Sequence, residues 1–268
     1  MLKLPVGIQL WSVREDLKND FEGTLKKLKE IGYDAVEFAG LFDHSAEEVR
    51  SICTRVGIKP ISAHVGWDKL FEDENVAKTY ADIGCKYIGI GYGPAQLIGG
   101  PEHEKMHEVV KKISENCKKY GITLMYHNHD WELEYYMGQH KLDHLYEEFD
   151  ADTIQAEIDT AWVRITGEDP SVYIRRYTDR LPLMHLKDFS GVRHCWANPE
   201  TFGIETSYFP PKPYEYRPIG YGEQNIPNLV AAAEETHVKM LIVEQDNPSL
   251  GKTALECAKM SINYLRSL

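Results

Sequence analysis

Lys29-Glu30-Ile31-Gly32-Tyr33-Asp34-Ala35-Val36-Glu37-Phe38 joins the end of an amphipathic helix, a glycine and a short β-prone run. The unit returns as Thr54-Arg55-Val56-Gly57 before Ile58-Lys59-Pro60-Ile61-Ser62-Ala63-His64. It appears again as Ala81-Asp82-Ile83-Gly84 before Cys85-Lys86-Tyr87-Ile88-Gly89-Ile90, and as Lys118-Lys119-Tyr120-Gly121 before Ile122-Thr123-Leu124-Met125-Tyr126. Each glycine stands where a left-handed residue ends a helix just ahead of a strand. Asp43-His44-Ser45 and Asp169-Pro170-Ser171 carry helix-start signals. Extended along the chain, the pattern predicts strands beginning near Val6, Ala35, Pro60, Tyr87, Thr123, Ile154, Leu183 and Met240, each followed by helix, with a last helix from about Thr253 to Arg266. Eightfold alternation predicts an α/β chain closed into a (β/α)8 TIM barrel, one domain over residues 1–268. An open doubly wound sheet alternates too, but no GxGxxG follows the first run.

Composition narrows the function classes. The 268 residues are 43% hydrophobic and 27% charged, as expected of a globular chain with a full core. A formal charge of -12 argues against nucleic acid or anionic membrane as a partner, because phosphate contacts need clustered Lys and Arg. No run approaches the roughly 20 apolar residues of a membrane span, and Met1-Leu2-Lys3-Leu4-Pro5-Val6 lacks signal-peptide features. Five Cys without CxxC spacing indicate reduced thiols, hence an expected cytoplasmic location. A loop at about 189–226 interrupts the rhythm. It holds Pro199, Pro210, Pro211, Pro213 and Pro218 with Trp196, Phe202, Tyr208, Phe209, Tyr214, Tyr216 and Tyr221, and is expected to be ordered and to lie over the catalytic face.

Four apolar runs end in residues that bind divalent metal: Leu124-Met125-Tyr126-His127, Ile154-Gln155-Ala156-Glu157-Ile158-Asp159, Leu183-Met184-His185 and Leu241-Ile242-Val243-Glu244. Alternation puts Gln155, Glu157 and Asp159 on one strand face, His185 with Lys187, and Met125 with His127 and His129. Imidazoles and carboxylates converging at strand ends predict a mononuclear site of His127, Asp159, His185 and Glu244, with His129 as the substitute for His127. Mixed N and O ligands suit Mn²⁺, Zn²⁺, Co²⁺ or Ni²⁺, and Mg²⁺ less well.

Gly7-Ile8-Gln9-Leu10-Trp11-Ser12-Val13-Arg14, Tyr126-His127-Asn128-His129, Asp159-Thr160-Ala161-Trp162-Val163, His185-Leu186-Lys187-Asp188 and Val243-Glu244-Gln245-Asp246 together resemble the xylose-isomerase-like sugar phosphate isomerase/epimerase family over essentially the whole chain. The resemblance implies a (β/α)8 barrel and a divalent metal, often Mn²⁺, held by residues matching positions 127, 159, 185 and 244. Many of the family's isomerases and epimerases carry Glu where His127 stands here. Branches with His there resemble dehydratases and lyases of keto-sugars and keto-inositols, including enzymes acting on 3-keto-glycosides.

The leading expectation is a metal-dependent isomerase or epimerase that takes a proton from beside the carbonyl of a keto-sugar or related polyol, giving a metal-stabilised enediolate. A lyase or dehydratase acting on a 3-keto-glycoside or keto-inositol through the same intermediate is the alternative, and a non-catalytic sugar-binding protein a remote one. Candidate catalytic groups are His64, His129, Lys187 and Glu244, with Lys187 pairing with Asp159 or Glu157 as its structural alternative. Trp11 and Trp162 are expected at the substrate as stacking surfaces, and Glu132 as a substrate contact on a loop facing solvent. Glu37 reads as a supporting or structural residue, and Gly220-Tyr221-Gly222 as a turn rather than a phosphate cradle. A DNA-repair endonuclease fits poorly, since the fourth run ends in Ile90-Gly91-Tyr92 without a His ligand. The partner is expected to be a small carbohydrate, with homo-oligomers possible.

Overall fold

The computed structural model describes residues 2–91, 98–193 and 212–268. Eight parallel strands close into a barrel: β1 (Val6–Gln9), β2 (Ala35–Phe38), β3 (Lys59–His64), β4 (Tyr87–Ile90), β5 (Thr123–His127), β6 (Gln155–Asp159), β7 (Leu183–Leu186) and β8 (Met240–Val243). Every strand pairs with its sequence neighbours, and β8 returns to β1 through Val6↔Leu241, Gly7↔Ile242 and Ile8↔Val243. Short strands joined by helices leave this closed order as the way to pair every edge. One irregularity falls between Val36 and Glu37, where the β2–β3 register shifts.

The helix boundaries follow local chemistry. Ser45 caps Ala46–Val56 and Thr253 caps Ala254–Ser267, each in a reciprocal capping box with the glutamate three residues on. Gly32 and Gly57 end their helices at φ 114° and 74°, angles that a side chain would strain. Outward residues such as Ile8, Val36, Ile88, Leu124, Ile158, Met184 and Leu241 are buried beneath the helices. The last helix locks the first unit: Tyr33 donates its hydroxyl hydrogen bond to the Ala258 carbonyl at 2.9 Å, and Arg266 meets Asp34 at 2.7 Å.

The region after β7 is less loop-like than its composition suggests. Asp188–Ser190 pairs antiparallel with Glu215–Arg217, so a ribbon rises from the barrel and returns to it. Its described part does lie against the carboxyl face: Arg193 covers the Trp162 ring at 4.4 Å and Tyr216 approaches the Lys187 ammonium at 5.8 Å. Pro199, Pro210, Pro211, Trp196, Phe202, Tyr208 and Phe209 lie outside the described residues. Gly220 and Gly222 both donate backbone N–H groups to Asp188 Oδ2 at 3.0 Å, so this turn cradles a carboxylate of its own chain. Cys53, Cys85, Cys117 and Cys257 are free thiols and buried. Among the described residues no helix is long and apolar enough to cross a membrane.

Candidate metal centre

Strand alternation turns one row of side chains into the barrel, and at the carboxyl end that row is polar. Asp159 pairs in register with His185, and His127 with Glu157. One nitrogen or oxygen from each of His127, Asp159, His185 and Glu244 lies within 4.8 Å of the others, all buried. A second grouping, His64, His127, Glu157 and His185, satisfies the same distance. Hydrogen bonding distinguishes the two.

Asp159 is both strand end and helix cap. Its Oδ1 accepts from the Ala161 and Trp162 N–H groups at 2.8 and 3.3 Å, opening the helix Thr160–Ile165. That fixes the carboxylate and turns Oδ2 inward, where among the described residues it makes no hydrogen bond and meets only cationic or titratable side chains, Lys187 Nζ at 3.3 Å and His127 Nε2 at 3.8 Å. The Lys187 ammonium balances that charge, and because Oδ2 accepts no hydrogen bond a lone pair stays available to an ion. His185 places Nδ1 3.0 Å from Glu244 Oε2, while its Nε2 is held 2.7 Å from Glu37 Oε1. A carboxylate behind the imidazole is how metal-binding histidines are commonly oriented. Glu157 stands in the corresponding place for the other imidazoles, 2.7 Å from His64 Nε2 and 3.6 Å from His127 Nδ1. Glu37 and Glu157 thus read as supports, and His127, Asp159, His185 and Glu244 as the set that would hold an ion.

Against its burial, Glu157, Glu37 and Glu244 hold His185 well above the usual imidazole range, so an ion binding there displaces a proton, whereas His127 is already free of one. Burial, then the neighbouring imidazoles and Lys187, hold His127 well below the usual imidazole range, leaving it neutral and able to donate a lone pair. Burial also pushes Glu157 up, to about 7, with the adjacent Glu37 carboxylate adding to it, whereas His64 and His185 draw Glu37 down against its own burial. Like charges in one buried place thus push the two carboxylates apart, Glu157 up and Glu37 down. Burial alone would lower the Lys187 ammonium, but Asp159, Asp246 and Glu244 outweigh it and keep it well above the ordinary lysine range.

Several expected contacts are corrected. Lys187 does pair with Asp159, one of its two expected structural partners, and adds Glu244 at 3.0 Å and Asp246 at 3.1 Å in place of Glu157. Glu132 does not face solvent. It is fully buried, taking hydrogen bonds from the Tyr126 hydroxyl at 2.8 Å, the Trp131 indole at 2.6 Å and the His129 backbone N–H at 2.8 Å. Both its oxygens are engaged in holding the loop after β5; buried carboxylates need such donors, and the loop folds inward to supply them. His129 is absent from both groupings, and its ring stacks on Trp131 at 4.4 Å. Burial depresses it to about 3 and leaves it neutral. Trp162 is only 4% exposed, with Arg193 over its ring at 4.4 Å and Lys187 at 4.9 Å. Trp11 is 44% exposed on the rim, with Arg14 over it at 4.4 Å.

A cleft of about 470 Å³ opens beside the cluster, lined by His64, Val65, Gly66, Trp67, Asp68 and Gly91. Gly91 keeps it joined to the centre: a β-carbon there would stand 3.3 Å from His129 and 3.4 Å from His127. Glu157, with no functional role assigned on sequence, proves central, and its alternation with Asp159 on β6 was the available signal.

Residues 25–268 match the model of the xylose isomerase-like TIM barrel family. The chain belongs to that family. It is 26% identical to an inosose dehydratase of Geobacillus kaustophilus over 63% of this chain and 61% of that protein. It is 27% identical to an inosose dehydratase of Mesomycoplasma hyopneumoniae across 100% of this chain and 96% of the relative. A crystal structure described as a sugar phosphate isomerase/epimerase from Parabacteroides distasonis superposes with a TM-score of 0.78 at 19% identity, covering 100% and 95% of the two chains, which speaks to fold alone.

Proposed function

We propose that this family member is a divalent-metal-dependent enzyme of keto-sugars or keto-polyols that removes a proton beside the carbonyl and then expels a β-oxygen substituent, as a dehydratase or lyase. The observation that carries the reading is the convergence of His127, Asp159, His185 and Glu244 next to an open cleft with His64 at its edge. A divalent ion held by those residues would polarise the substrate carbonyl and stabilise enediolate charge; Mn²⁺ is the first choice, with Zn²⁺, Co²⁺, Ni²⁺ and Mg²⁺ as rivals.

The protein side chains divide the remaining work. His64 Nε2 is tied to Glu157, so Nδ1 is the atom to accept the carbon-bound proton while the carboxylate steadies the resulting charge. Lys187 is too firmly paired to act as a base; its ammonium is a proton donor for the departing oxygen. Glu244 serves as ligand and anchors Lys187. Trp162 holds Lys187 and Arg193 in place from below rather than touching sugar.

Elimination is favoured over isomerisation by one feature of the site: the β5 position is an imidazole, His127, so no carboxylate on β5 stands opposite Glu244 to return the proton to a neighbouring carbon. The dehydratase names of the curated relatives point the same way. Isomerisation or epimerisation stays the second reading, because Glu157, pushed up by burial and by Glu37, sits 2.7 Å from His64 and offers a second proton-carrying group. The test is incubation with keto-inositols, 3-keto-glycosides and simple ketoses in deuterated water with Mn²⁺. Loss of water or an aglycone supports elimination, and deuterium in an otherwise intact sugar supports isomerisation. A protein that takes up no ion and exchanges no carbon-bound proton from any of them would overturn both.

A further inference from the structure

A second set of metal-binding side chains lies in the outer helical layer, away from the barrel interior. His103-Glu104-Lys105-Met106-His107 opens the helix His103–Lys118, placing two imidazoles four residues apart on the same face. That spacing is a weak signal in isolation. The third group comes from a different helix: Glu148, last residue of Lys141–Glu148, reaches His103 Nε2 at 2.8 Å and His107 Nε2 at 2.6 Å. All three offer ligand atoms within 4.8 Å of one another.

Their setting differs from that of an ordinary surface ion pair. His103, His107 and Glu148 are 31%, 38% and 22% exposed, so they are neither locked in the core nor freely solvated. Phe149 packs on the His107 ring at 4.7 Å and restricts its rotation. A cleft of about 470 Å³, bounded by Gly100, Pro101, Glu104 and the three side chains, opens over them. His103 Nδ1 faces the Gly99 N–H at 3.5 Å, too long to dictate which ring nitrogen carries the proton.

We propose that His103, His107 and Glu148 form a second divalent-cation site, suited to Zn²⁺ and leaving one coordination position open to the cleft. Two imidazoles and one carboxylate are a borderline donor set that prefers Zn²⁺ over Mg²⁺ or Ca²⁺. The nitrogen–oxygen separations of 2.6–3.0 Å are slightly shorter than ligands around one ion keep, so binding requires Glu148 to withdraw by a few tenths of an ångström. An ion held there would clamp the helices His103–Lys118 and Lys141–Glu148 together. The site stands independently of the function proposed for the barrel mouth.

The full chain, stripped with a chelator, is titrated with Zn²⁺ by calorimetry and its metal content measured. Wild type is expected to bind two equivalents. His107→Ala should bind one, with affinity for the other weakened by at least the about 100-fold that a change behind a metal ligand costs. Asp159→Asn should lose the complementary equivalent, and a wild type holding one ion that His107→Ala abolishes supports this site while counting against the barrel-mouth centre. Co²⁺ substitution gives a separate readout: the part of the visible absorption due to this site persists in Asp159→Asn and is lost in His107→Ala, which keeps only the barrel-mouth contribution. Unchanged stoichiometry and affinity in both His107→Ala and Glu148→Gln, with circular dichroism like wild type, would overturn the proposal and leave a His–Glu–His hydrogen-bonded cluster.

Discussion

The two ends of the barrel interior are built from the same strand faces and do opposite things. At the amino end the inward side chains are Ala35, Met125, Leu183, Met240 and Ile242, an apolar plug with Ile61 and Tyr87 packed on it. Two residues further along the same strands come Glu37, His127, His185 and Glu244, buried and polar. One step of alternation separates a layer that can be filled by any well-packed hydrophobe from a layer where each polar atom needs a partner. The lower layer supplies stability without chemistry. In the upper layer buried charge is costly, and Asp159 Oδ2 is left facing the cluster with no hydrogen bond among the described residues.

That contrast is open to attack by substitution. The largest effect is expected from Asp159→Asn: ion binding and carbon-bound proton exchange fall well beyond the about 100-fold that a change behind the ligands costs, while thermal unfolding shifts little. Full exchange activity with the substituted protein would remove the upper layer from the chemistry. Met125→Ala should do the reverse. It is expected to lower unfolding free energy by about 2–5 kcal/mol in urea titrations and leave metal stoichiometry as in wild type. Lost metal binding in a folded Met125→Ala protein would mean that the two layers are not separable.

Glu37→Gln tests whether the carboxylate behind His185 belongs to the site. Weakened metal affinity of about 10–100-fold is expected, read by competition with a chelating dye, with the unfolding midpoint changing less than in Met125→Ala. An unchanged affinity would demote Glu37 to packing. Thr253→Ala lies in neither layer and sets the baseline: loss of a capping box should cost about 1 kcal/mol and leave metal binding untouched.

The barrel was readable from residue order because its signals are local. A glycine that must adopt positive φ, an N-cap with its glutamate, and apolar runs of strand length each act within a few residues, as at Gly32, Gly57 and Ser45. The convergence of Asp159, His185, Glu244 and His127 followed from the same periodicity once closure was assumed. Partnership was another matter. Glu37 meets His185 across 148 residues, Glu157 meets His64 across 93, and Glu148 meets His103 across 45. Lys187 chose Asp159, Glu244 and Asp246, and Glu132 turned inward to collect three donors. Which buried polar groups satisfy one another depends on distances between strands and helices far apart in the chain, and hydrogen bonding acts only over those distances.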